Sequence, residues 1–261
     1  MTAKPDSEAI LSVAKEACRL GGERLTALFG SALEKNILPH DIKSQADLES
    51  EKVMRAFLAE KRPEDAVMGE EEGGKLENNG GCWVIDPLDG TINFSHGTKY
   101  FGVTAAWYWM GEPEVGVIFD PNANHFYYAM KGRGAYCDGK TLHVSDTENL
   151  KEAMVFVGCG KGSDIVTHWR NLEKIVARIH SVRFKCCATL DLAALSGGEC
   201  DGYMDQGLYL WDFAAGALIL KEAGGDYDIK EGSEPGTFDF LGGNKCVFRE
   251  LIKLQESGNK I

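Results

Sequence analysis

Four short stretches of the sequence carry acidic side chains in positions that a buried core would not tolerate. They span residues 41–47, 69–72, 83–94 and 210–216. Several of them border apolar residues, so their carboxylates would emerge beside buried elements, and an unpaired buried carboxylate is very costly. Mg²⁺ prefers carboxylate and carbonyl oxygens together with water. The four stretches therefore predict a site that holds more than one divalent cation.

The third stretch contains the strongest local pattern, Asp-Pro-Leu-Asp-Gly-Thr. Asp86 ends an apolar run, and Asp89 follows after a proline that restrains the backbone, so both carboxylates can turn to the same side. Gly90 and Thr91 permit a close turn into a helix start, where backbone N–H groups can hold a phosphate. The alternative for such a stretch is a plain turn with a capping aspartate. Continuous apolar residues on both flanks favour the metal site.

The other acidic residues also have structural alternatives. Asp212 follows an apolar stretch and opens an apolar helix, where it could serve only as an N-cap. The glutamates at positions 70–72 could lie in a solvated loop. Because these acids lack matching basic neighbours, a shared magnesium site explains the whole set better than separate local roles do.

Composition and charge argue against several classes of partner. A formal net charge of -12 repels nucleic-acid backbones and anionic membranes, whereas a small anionic substrate can still bind where cations reverse the local sign. The sequence starts without a signal-peptide core, and the apolar run at 213–220 is too short to cross a bilayer. The eight cysteines show no zinc spacing, so we expect free, mostly buried thiols, including the adjacent Cys186 and Cys187, in a cytoplasmic protein.

The first half of the chain is typical of two helices followed by a meander of strands. A first helix starts near Asp6 and stops near Gly30, with Gly21 and Gly22 weakening its middle, and a second helix follows Asp47. Short apolar runs bounded by turns predict strands over residues 82–85, 101–109, 116–119 and 126–130.

The second half alternates between strands and helices. Strands are predicted over residues 153–157, 182–185 and 202–205, and helices over residues 164–178, 190–196 and 212–222, the last ended by Ala-Gly-Gly. A meander followed by such alternation predicts a mixed α and β class in stacked layers. Since no linker or repeat divides the chain, we expect one domain over residues 1–261, with its halves meeting near residue 145.

These segments resemble the inositol monophosphatase family over nearly the whole chain. The family's two signatures are similar to W-x-x-D-P-x-D-G-T-x-N-F at residues 83–94 and to W-D-x-A-A-G followed by E-A-G-G at residues 211–225. The Gly-Glu-Glu at residues 69–71 and the pair Asp41 and Asp47 follow the family's order and intervals. The resemblance implies a layered αβαβα sandwich of the sugar-phosphatase type and a magnesium-dependent, lithium-sensitive phosphatase.

The resemblance also implies the ligands of two or three Mg²⁺ ions. Glu70, Asp86 and the carbonyl of Leu88 would hold the first ion. Asp86, Asp89 and Asp212 would hold the second ion, bridged to the first through Asp86. A third, weaker ion would lie near Glu70, largely among waters.

Catalytic and substrate-binding roles follow from the same resemblance. Thr91 and Asp47 would form a hydrogen-bonded pair that orients and deprotonates the attacking water, with Glu70 as the third catalytic residue. The N–H groups of Gly90 and Thr91 would cradle the phosphate. The other implied substrate contacts are Asp89, Cys187, Ala188, Asp205 and Asp212.

The metal ligands match the family pattern, whereas the substrate rim departs from it. The Gly-Ser/Thr-Ala-Ala segment of the family reads Cys-Cys-Ala-Thr at residues 186–189, and a frequent histidine before Trp-Asp is Tyr209. The Asp-Leu-Val-Thr segment reads Asp-Ile-Lys-Ser at residues 41–44, so Lys43 brings a cation toward the site. The family's inositol-contacting glutamate falls at Asp205, which reaches about 1.5 Å less far and could shift the preference between polyols.

Three hypotheses about function follow. The first is hydrolysis of a small phosphate monoester, with inositol 1-phosphate as the default and fructose 1,6-bisphosphate, histidinol phosphate or a nucleotide 3′-phosphate as alternatives. The second is a regulatory, protein-binding role on an inherited phosphatase fold, and the third is a cation-binding module without catalysis. Retention of every implied ligand and of Thr91 favours the phosphatase. The resemblance also implies a homodimer.

Overall fold

Two large β-sheets and three layers of helices alternate through the structure, and a small two-stranded hairpin adds a third sheet. The computed structural model describes residues 4–31, 35–38, 41–158 and 165–256. Its helices are α1 (Ser7–Leu28), α2 (Gln45–Lys61), α3 (Thr91–Ser95), α4 (Ile165–Val176), α5 (Ala188–Ser196), α6 (Leu210–Glu222) and α7 (Lys245–Glu256).

The strands fall into a small hairpin and two larger sheets. Their bounds are β1 (Lys35–Leu38), β2 (Asp41–Ser44), β3 (Ala66–Gly69), β4 (Gly81–Asp89), β5 (Gly102–Trp109), β6 (Glu112–Asp120), β7 (His125–Met130), β8 (Ala135–Cys137), β9 (Lys140–Thr141), β10 (Met154–Val157), β11 (Ser181–Arg183), β12 (Gly202–Leu208), β13 (Asp226–Glu231) and β14 (Phe238–Gly243). β1 pairs with β2, the seven-stranded sheet has the order β3-β4-β5-β6-β7-β8-β9, and the five-stranded sheet has the order β11-β10-β12-β14-β13.

Four buried apolar clusters separate the five layers. The first cluster joins α1 and α2 to one face of the seven-stranded sheet, and the second joins the opposite face to α5 and α6. The third lies between α5, α6 and one face of the five-stranded sheet, and the fourth lies under α4 and α7 on its other face. The layered αβαβα sandwich predicted from the sequence is therefore confirmed.

Buried strands of the larger sheet supply side chains to both of its faces. In β4, Trp83 and Ile85 belong to the cluster beneath α1, whereas Cys82 and Val84 belong to the cluster beneath α6. Successive side chains of a strand point to opposite faces, so a strand covered by helices on both sides must be apolar at every position. This explains why residues 82–85 form a continuous apolar run rather than an alternating one.

Two glycines in α1 allow this helix to pack closely against both the larger sheet and α2. A Cβ at Gly22 in α1 would lie 2.5 Å from the ring of Phe119, and a Cβ at Gly21 would lie 2.9 Å from the hydroxyl of Ser50 in α2. The prediction that these glycines weaken the middle of the first helix is therefore incomplete, because α1 continues unbroken to Leu28 and packs most closely at this point.

Most predicted elements form, although their ends differ. α2 starts three residues before the expected position and α5 and α6 start two residues before theirs, and the helix expected at 164–178 is α4, with residue 164 outside the described residues. The sequence patterns did not predict α7 or the strands β1, β2, β3, β8, β9, β13 and β14. Within the described residues, no helix has the length and apolar character that crossing a membrane requires.

Gly116 offers a test of this packing. A Cβ at Gly116 in β6 would lie 2.8 Å from the carbonyl oxygen of Ala215 in α6, and backbone cannot move aside as a side-chain tip can. We expect Gly116→Ala to lower the free energy of unfolding by about 1–3 kcal/mol, measured by urea denaturation. Gly80→Ala is the control, because a Cβ at Gly80 meets no atom within 4 Å. Equal stability of the two variants would contradict the close helix–sheet contact.

Candidate active site

A β-bulge in β4 aligns two of the predicted metal ligands. Asp86 lies opposite Thr104 of β5 and Asp89 lies opposite Gly102, so three steps along β4 match two steps along β5. In a regular strand, side chains three residues apart point to opposite faces, whereas one extra residue in a bulge returns the second to the face of the first. The pattern Asp-Pro-Leu-Asp therefore presents both carboxylates on one side, as the sequence predicted.

The third carboxylate of this group comes from the first turn of α6. Asp212 is buried, and its Oδ2 accepts a hydrogen bond of 2.6 Å from the backbone N–H of Tyr209. Asp212 is thus the third residue of α6 rather than its N-cap, which corrects the alternative role that the sequence allowed. Carboxylate oxygens of Asp86, Asp89 and Asp212 lie within 4.8 Å of one another.

This group of three aspartates fits a hard divalent cation. Each residue offers an oxygen, Asp86 and Asp212 are buried, and Asp89 is half-buried. Ionised carboxylates this close repel one another, and burial strengthens the repulsion. A cation at their centre would relieve it, and carboxylate oxygens are the ligands that Mg²⁺, Ca²⁺ and Mn²⁺ prefer.

Glu70 approaches the same edge of the sheet by way of β3. β3 and β4 pair in parallel with Gly69 beside Ile85, so Glu70, which follows the end of β3, comes beside Asp86 of β4. The predicted solvated loop is therefore only partly correct, since Glu70 and Glu71 are half-buried and only Glu72 is exposed.

Thr91 and Asp47 form the hydrogen-bonded pair that the family resemblance implied. The Thr91 hydroxyl lies 2.9 Å from Oδ1 of Asp47 and 3.0 Å from the carbonyl oxygen of Leu88. Thr91 is the first residue of α3, and Gly90 before it has a φ of 87°. A Cβ at Gly90 would lie 2.9 Å from the carbonyl oxygen of Tyr100, so both the close approach and the left-handed conformation require glycine here.

Asp47 is buried and held by several donors. Its Oδ2 accepts hydrogen bonds from the backbone N–H of Ser44 at 2.9 Å and from the Ser44 hydroxyl at 2.6 Å. Asp47 lies within the first turn of α2, which Ser44 caps, so the helix does not start after Asp47 as predicted. Burial raises the pKa of Asp47 to about 6, although the hydrogen bonds from Ser44 and Thr91 oppose that shift.

The segment from Cys186 to Thr189 supports Asp89 from the opposite side. The backbone N–H of Thr189 donates to Oδ2 of Asp89 at 2.6 Å, and the Cys187 thiol lies 3.3 Å from the same oxygen. Cys187 is buried and free as predicted, and Ala188 is the buried first residue of α5. Thr189 is a site residue that the sequence analysis missed, because a backbone donor leaves no side-chain pattern.

Cys186 departs from the prediction. It is disulfide-bonded, so the expectation that both adjacent cysteines are free thiols is wrong for this one. Its φ of 56° lies in the left-handed region that favours glycine. A cysteine therefore adopts here a backbone conformation that glycine adopts more readily.

Two further acids lie close to the predicted substrate rim. Asp205 is buried, and its carboxylate accepts hydrogen bonds from the Tyr203 hydroxyl at 3.0 Å and from the Gln206 N–H at 2.8 Å. Asp191, which the sequence analysis missed, accepts a hydrogen bond of 2.8 Å from the Tyr100 hydroxyl. Burial raises the pKa of Asp191 to about 8, and repulsion from Asp89 and Asp205 contributes, so these acids share one electrostatic neighbourhood.

Some predicted positions lie outside the described side chains. The side chains of Asp41 and Lys43 in β2 are among them, so the expected cation near the site is not placed. Tyr209, which stands where the family often has histidine, stacks on Trp211 with ring centroids 4.8 Å apart.

A second group of potential metal ligands lies at the surface. His125, Cys137 and Asp138 each offer a ligand atom within 4.8 Å of the others. Pairing of β7 with β8 brings His125 close to the other two residues. His125 Nδ1 lies 2.6 Å from Oδ2 of Asp138, while Oδ1 accepts the N–H of Phe126, so exposed hydrogen bonds account for the arrangement.

Comparison with known proteins agrees with this geometry. The sequence model of the inositol monophosphatase family matches residues 6–248. The fructose-1,6-bisphosphatase/inositol-1-monophosphatase of Aquifex aeolicus is 36% identical over 249 residues, which cover 94% of each chain. Nus factor SuhB of Pseudomonas aeruginosa is 36% identical over 93% of this chain and 94% of its own.

Solved structures show the same fold. The extragenic suppressor protein suhB from Bartonella henselae aligns with a TM-score of 0.88 and 30% identity, covering 96% of this chain and 99% of that chain. Fold, acidic site and relatives together define a phosphoric monoester hydrolase. The chain belongs to the inositol monophosphatase family.

The three aspartates should reverse their effect on stability when a cation binds. Without divalent metal, we expect Asp212→Asn to be at least as stable as the wild type, because one buried like charge is removed and the amide oxygen can still accept the Tyr209 N–H. With Mg²⁺ at about 100 times its dissociation constant, the wild type should gain about 2.7 kcal/mol and the variant much less. Melting temperatures in EDTA and in Mg²⁺ measure both effects, with the exposed Asp146→Asn as control. An equal Mg²⁺ gain in both variants would contradict the site.

The raised pKa of Asp47 should appear as a pH dependence of stability. Because its folded pKa of about 6 exceeds the ordinary aspartate value of 3.8, the folded state keeps its proton over that interval while the unfolded state loses it. The contribution of Asp47 to the free energy of unfolding is full below about pH 4 and is lost as the pH rises through 6. Relative to Asp47→Asn, we expect the wild type to lose on the order of 1–3 kcal/mol between pH 4 and pH 7 in EDTA, measured by urea unfolding. A constant difference would contradict the raised pKa.

Proposed function

We propose that this protein hydrolyses a small phosphate monoester in a magnesium-dependent reaction, with inositol 1-phosphate or a similar polyol or sugar phosphate as substrate. The observation that carries the proposal is the group formed by Asp86, Asp89 and Asp212 near a threonine hydroxyl that is hydrogen-bonded to a buried aspartate. Membership of the inositol monophosphatase family supports the same reaction.

In this proposal two or three Mg²⁺ ions bind at the acidic edge of the larger sheet. Glu70, Asp86 and the carbonyl oxygen of Leu88 hold the first ion, and Asp86, Asp89 and Asp212 hold the second. A third, weaker ion lies near Glu70. When bound, Mg²⁺ lowers the pKa of water and neutralises charge on the phosphoryl and leaving-group oxygens.

Thr91 and Asp47 supply the proton acceptor. The Thr91 hydroxyl has one hydrogen, and a charged carboxylate is a stronger acceptor than a carbonyl, so in the active arrangement it donates to Asp47 and leaves the Leu88 carbonyl for the ion. The threonine oxygen can then accept a hydrogen bond from the attacking water. As the new P–O bond forms, the water proton passes to Thr91 while the threonine's own proton passes to Asp47. Glu70 helps to hold the water.

The phosphate and the rest of the substrate lie over the turn that starts α3. In this proposal the N–H groups of Gly90 and Thr91 bind phosphoryl oxygens, where the dipoles of the turn favour an anion. Asp89, Cys187, Ala188, Asp205 and Asp212 surround the leaving group. No phosphorylated enzyme forms, because the water attacks phosphorus directly and the P–O bond to the leaving alkoxide breaks as the new bond forms.

Several features around the site leave more than one substrate within the proposal. The Aquifex relative carries both fructose-1,6-bisphosphatase and inositol-1-monophosphatase in its name. Asp205 has one methylene fewer than a glutamate and so reaches less far toward a polyol, and its carboxylate already accepts two hydrogen bonds within the protein. Fructose 1,6-bisphosphate, histidinol phosphate and nucleotide 3′-phosphates are therefore the alternatives to compare with inositol 1-phosphate.

The proposal extends to assembly and location. We propose one domain over residues 1–261, because α5 and α6 pack on both sheets. A homodimer is supported by membership of the family and by exposed apolar side chains. Three of these lie in α4 and one directly follows β11, namely Val166, Trp169, Val176 and Phe184. A cytoplasmic location is supported by the six cysteines that are free among the described residues, although Cys186 is disulfide-bonded.

A second candidate function is a regulatory, protein-binding role. The observation that favours it is the name of the Pseudomonas relative, Nus factor SuhB. The two functions are separable, since a partner would contact the surface of the chain whereas catalysis needs the three buried or half-buried aspartates.

Loss of one ligand charge tests the phosphatase most simply. We expect Asp89→Asn, which keeps the side-chain shape and can still accept the Thr189 N–H, to reduce phosphate release by at least 100-fold, because metal and phosphoryl binding lose a charge. The assay compares the four phosphate esters named above, with Mg²⁺, with EDTA, and with added Li⁺, which we expect to inhibit.

Asp146→Asn is the matched control, because it removes one exposed aspartate charge that does not belong to the acidic group. Near-normal turnover by Asp89→Asn in Mg²⁺ would show that the metal assignment is wrong. Absence of activity in the wild type on every ester, with retained Mg²⁺ binding, would favour the regulatory role.

A further inference from the structure

One face of α2 carries Asp47 of the first acidic stretch and contacts the other two acidic stretches of the N-terminal half. Asp47 accepts the hydrogen bond of Thr91, and the Ser50 hydroxyl donates to the carbonyl oxygen of Pro87 at 2.8 Å. Glu51 accepts hydrogen bonds from the turn that carries Glu70. Residues three and four apart share a helix face, so this single helix sets the relative positions of these segments.

Glu51 makes the most extensive of these contacts. Its side chain is fully buried, its Oε2 accepts the backbone N–H of Glu71 at 2.8 Å, and its Oε1 accepts the N–H of Glu72 at 3.0 Å. Backbone donors to a carboxylate form short and strong hydrogen bonds. Both carboxylate oxygens of Glu51 are thereby directed at the backbone of this turn.

Arg55 completes the contact and balances the buried charge. Its Nε donates to Oε1 of Glu51 at 2.6 Å, one turn earlier on the same helix. Its Nη2 donates to the carbonyl oxygen of Gly73 at 2.8 Å, and its Nη1 donates to that of Val67 at 3.3 Å. The pair therefore binds N–H groups in the middle of the turn and carbonyl groups on either side of it.

The turn itself closes around Glu70. The N–H of Gly69 donates to the carbonyl oxygen of Gly73 at 3.0 Å, so residues 69–73 form a loop with joined ends. Glu70 lies inside this loop, next to the hydrogen-bonded amides of Glu71 and Glu72. Since β3 places Glu70 beside Asp86, fixing the loop backbone also fixes the distance over which Glu70 can reach the metal ligands.

Gly69 shows how closely Glu51 fits against the turn. A Cβ at Gly69 would lie 2.5 Å from Oε1 of Glu51 and 2.9 Å from Nη2 of Arg55. Gly69 has no positive φ that would by itself require glycine. Its lack of a side chain is therefore explained by the space that the Glu51 and Arg55 side chains occupy.

We propose that Glu51, supported by Arg55, is a positioning residue that holds the backbone of residues 69–73 so that Glu70 is oriented toward the cation site before a cation binds. The inference rests on the proposed function in assigning Glu70 to that site. Glu51 is not a metal ligand in this proposal, because its oxygens bind backbone amides and Arg55. It acts through Glu70, as supporting residues do for the ligands of many metal sites.

The first test replaces Glu51 without changing its size. A glutamine has one acceptor oxygen and an NH₂ group that cannot accept, so Glu51→Gln must lose at least one of the two backbone hydrogen bonds. We expect amide hydrogen exchange at Glu71 and Glu72 to accelerate at least tenfold in the metal-free protein. We also expect the Mg²⁺ concentration that gives half the full melting-temperature shift to rise about fivefold or more, while kcat at saturating Mg²⁺ stays within about twofold.

Glu60→Gln is the matched control. Glu60 lies on the same helix, its side chain is 70% exposed, and its partner is the neighbouring Lys61. We expect its amide exchange and Mg²⁺ requirement to equal those of the wild type.

The second test reaches Glu51 without altering its charge. Gly69→Ala should displace the Glu51 carboxylate from the turn and reproduce the faster exchange and the raised Mg²⁺ requirement. Gly80→Ala, which meets no atom within 4 Å, is its control. If Glu51→Gln does not fold, the amide exchange and the Mg²⁺ requirement of Gly69→Ala test the positioning role of Glu51 instead.

The outcomes separate a positioning role from a purely structural one. Unchanged exchange at Glu71 and Glu72 would overturn the contact itself. Faster exchange and a lower melting temperature with an unchanged Mg²⁺ requirement would overturn the positioning role and leave Glu51 structural. Because exchange and Mg²⁺-dependent melting need no substrate, these results stand even where the wild type releases no phosphate, an outcome that would instead contradict the proposed function.

Discussion

Electrostatic repulsion among carboxylates is the constraint on which the active site depends. Asp86, Asp89 and Asp212 bring oxygens within 4.8 Å of one another in a largely buried place. Like charges in such surroundings repel one another and oppose folding unless a cation or hydrogen-bond donors balance them. The surrounding structure can be understood as the set of contacts that holds these acids together before a cation arrives.

Backbone geometry and backbone donors supply most of those contacts. The bulge in β4 turns Asp86 and Asp89 to one side, and the N–H groups of Tyr209 and Thr189 bind Asp212 and Asp89. Asp47 and Asp212 lie in the first turns of helices, where the helix dipole favours negative charge. Because the donors are backbone groups, the site's shape depends on the fold rather than on a few replaceable side chains.

The sequence predicted residues of the site that are close along the chain better than residues that only folding brings together. Asp86 and Asp89 lie in one short motif whose proline and glycine restrict the backbone, so their common direction followed from local rules. Glu51 could not be recognised, because a glutamate four residues before an arginine on a helix is usually a solvated pair. Its burial depends on a turn about 20 residues later in the chain. The disulfide of Cys186 likewise depends on tertiary contacts that residue spacing does not record.

A crystal soaked in Mn²⁺ and inorganic phosphate would show whether Asp86, Asp89 and Asp212 bind a cation together. Manganese prefers the same oxygen ligands as magnesium and scatters anomalously. We expect an anomalous peak about 2.0–2.3 Å from an oxygen of each of Asp86, Asp89 and Asp212, with phosphate beside it over the Gly90–Thr91 turn. Side chains that point apart with no anomalous density between them, at saturating Mn²⁺, would contradict this expectation.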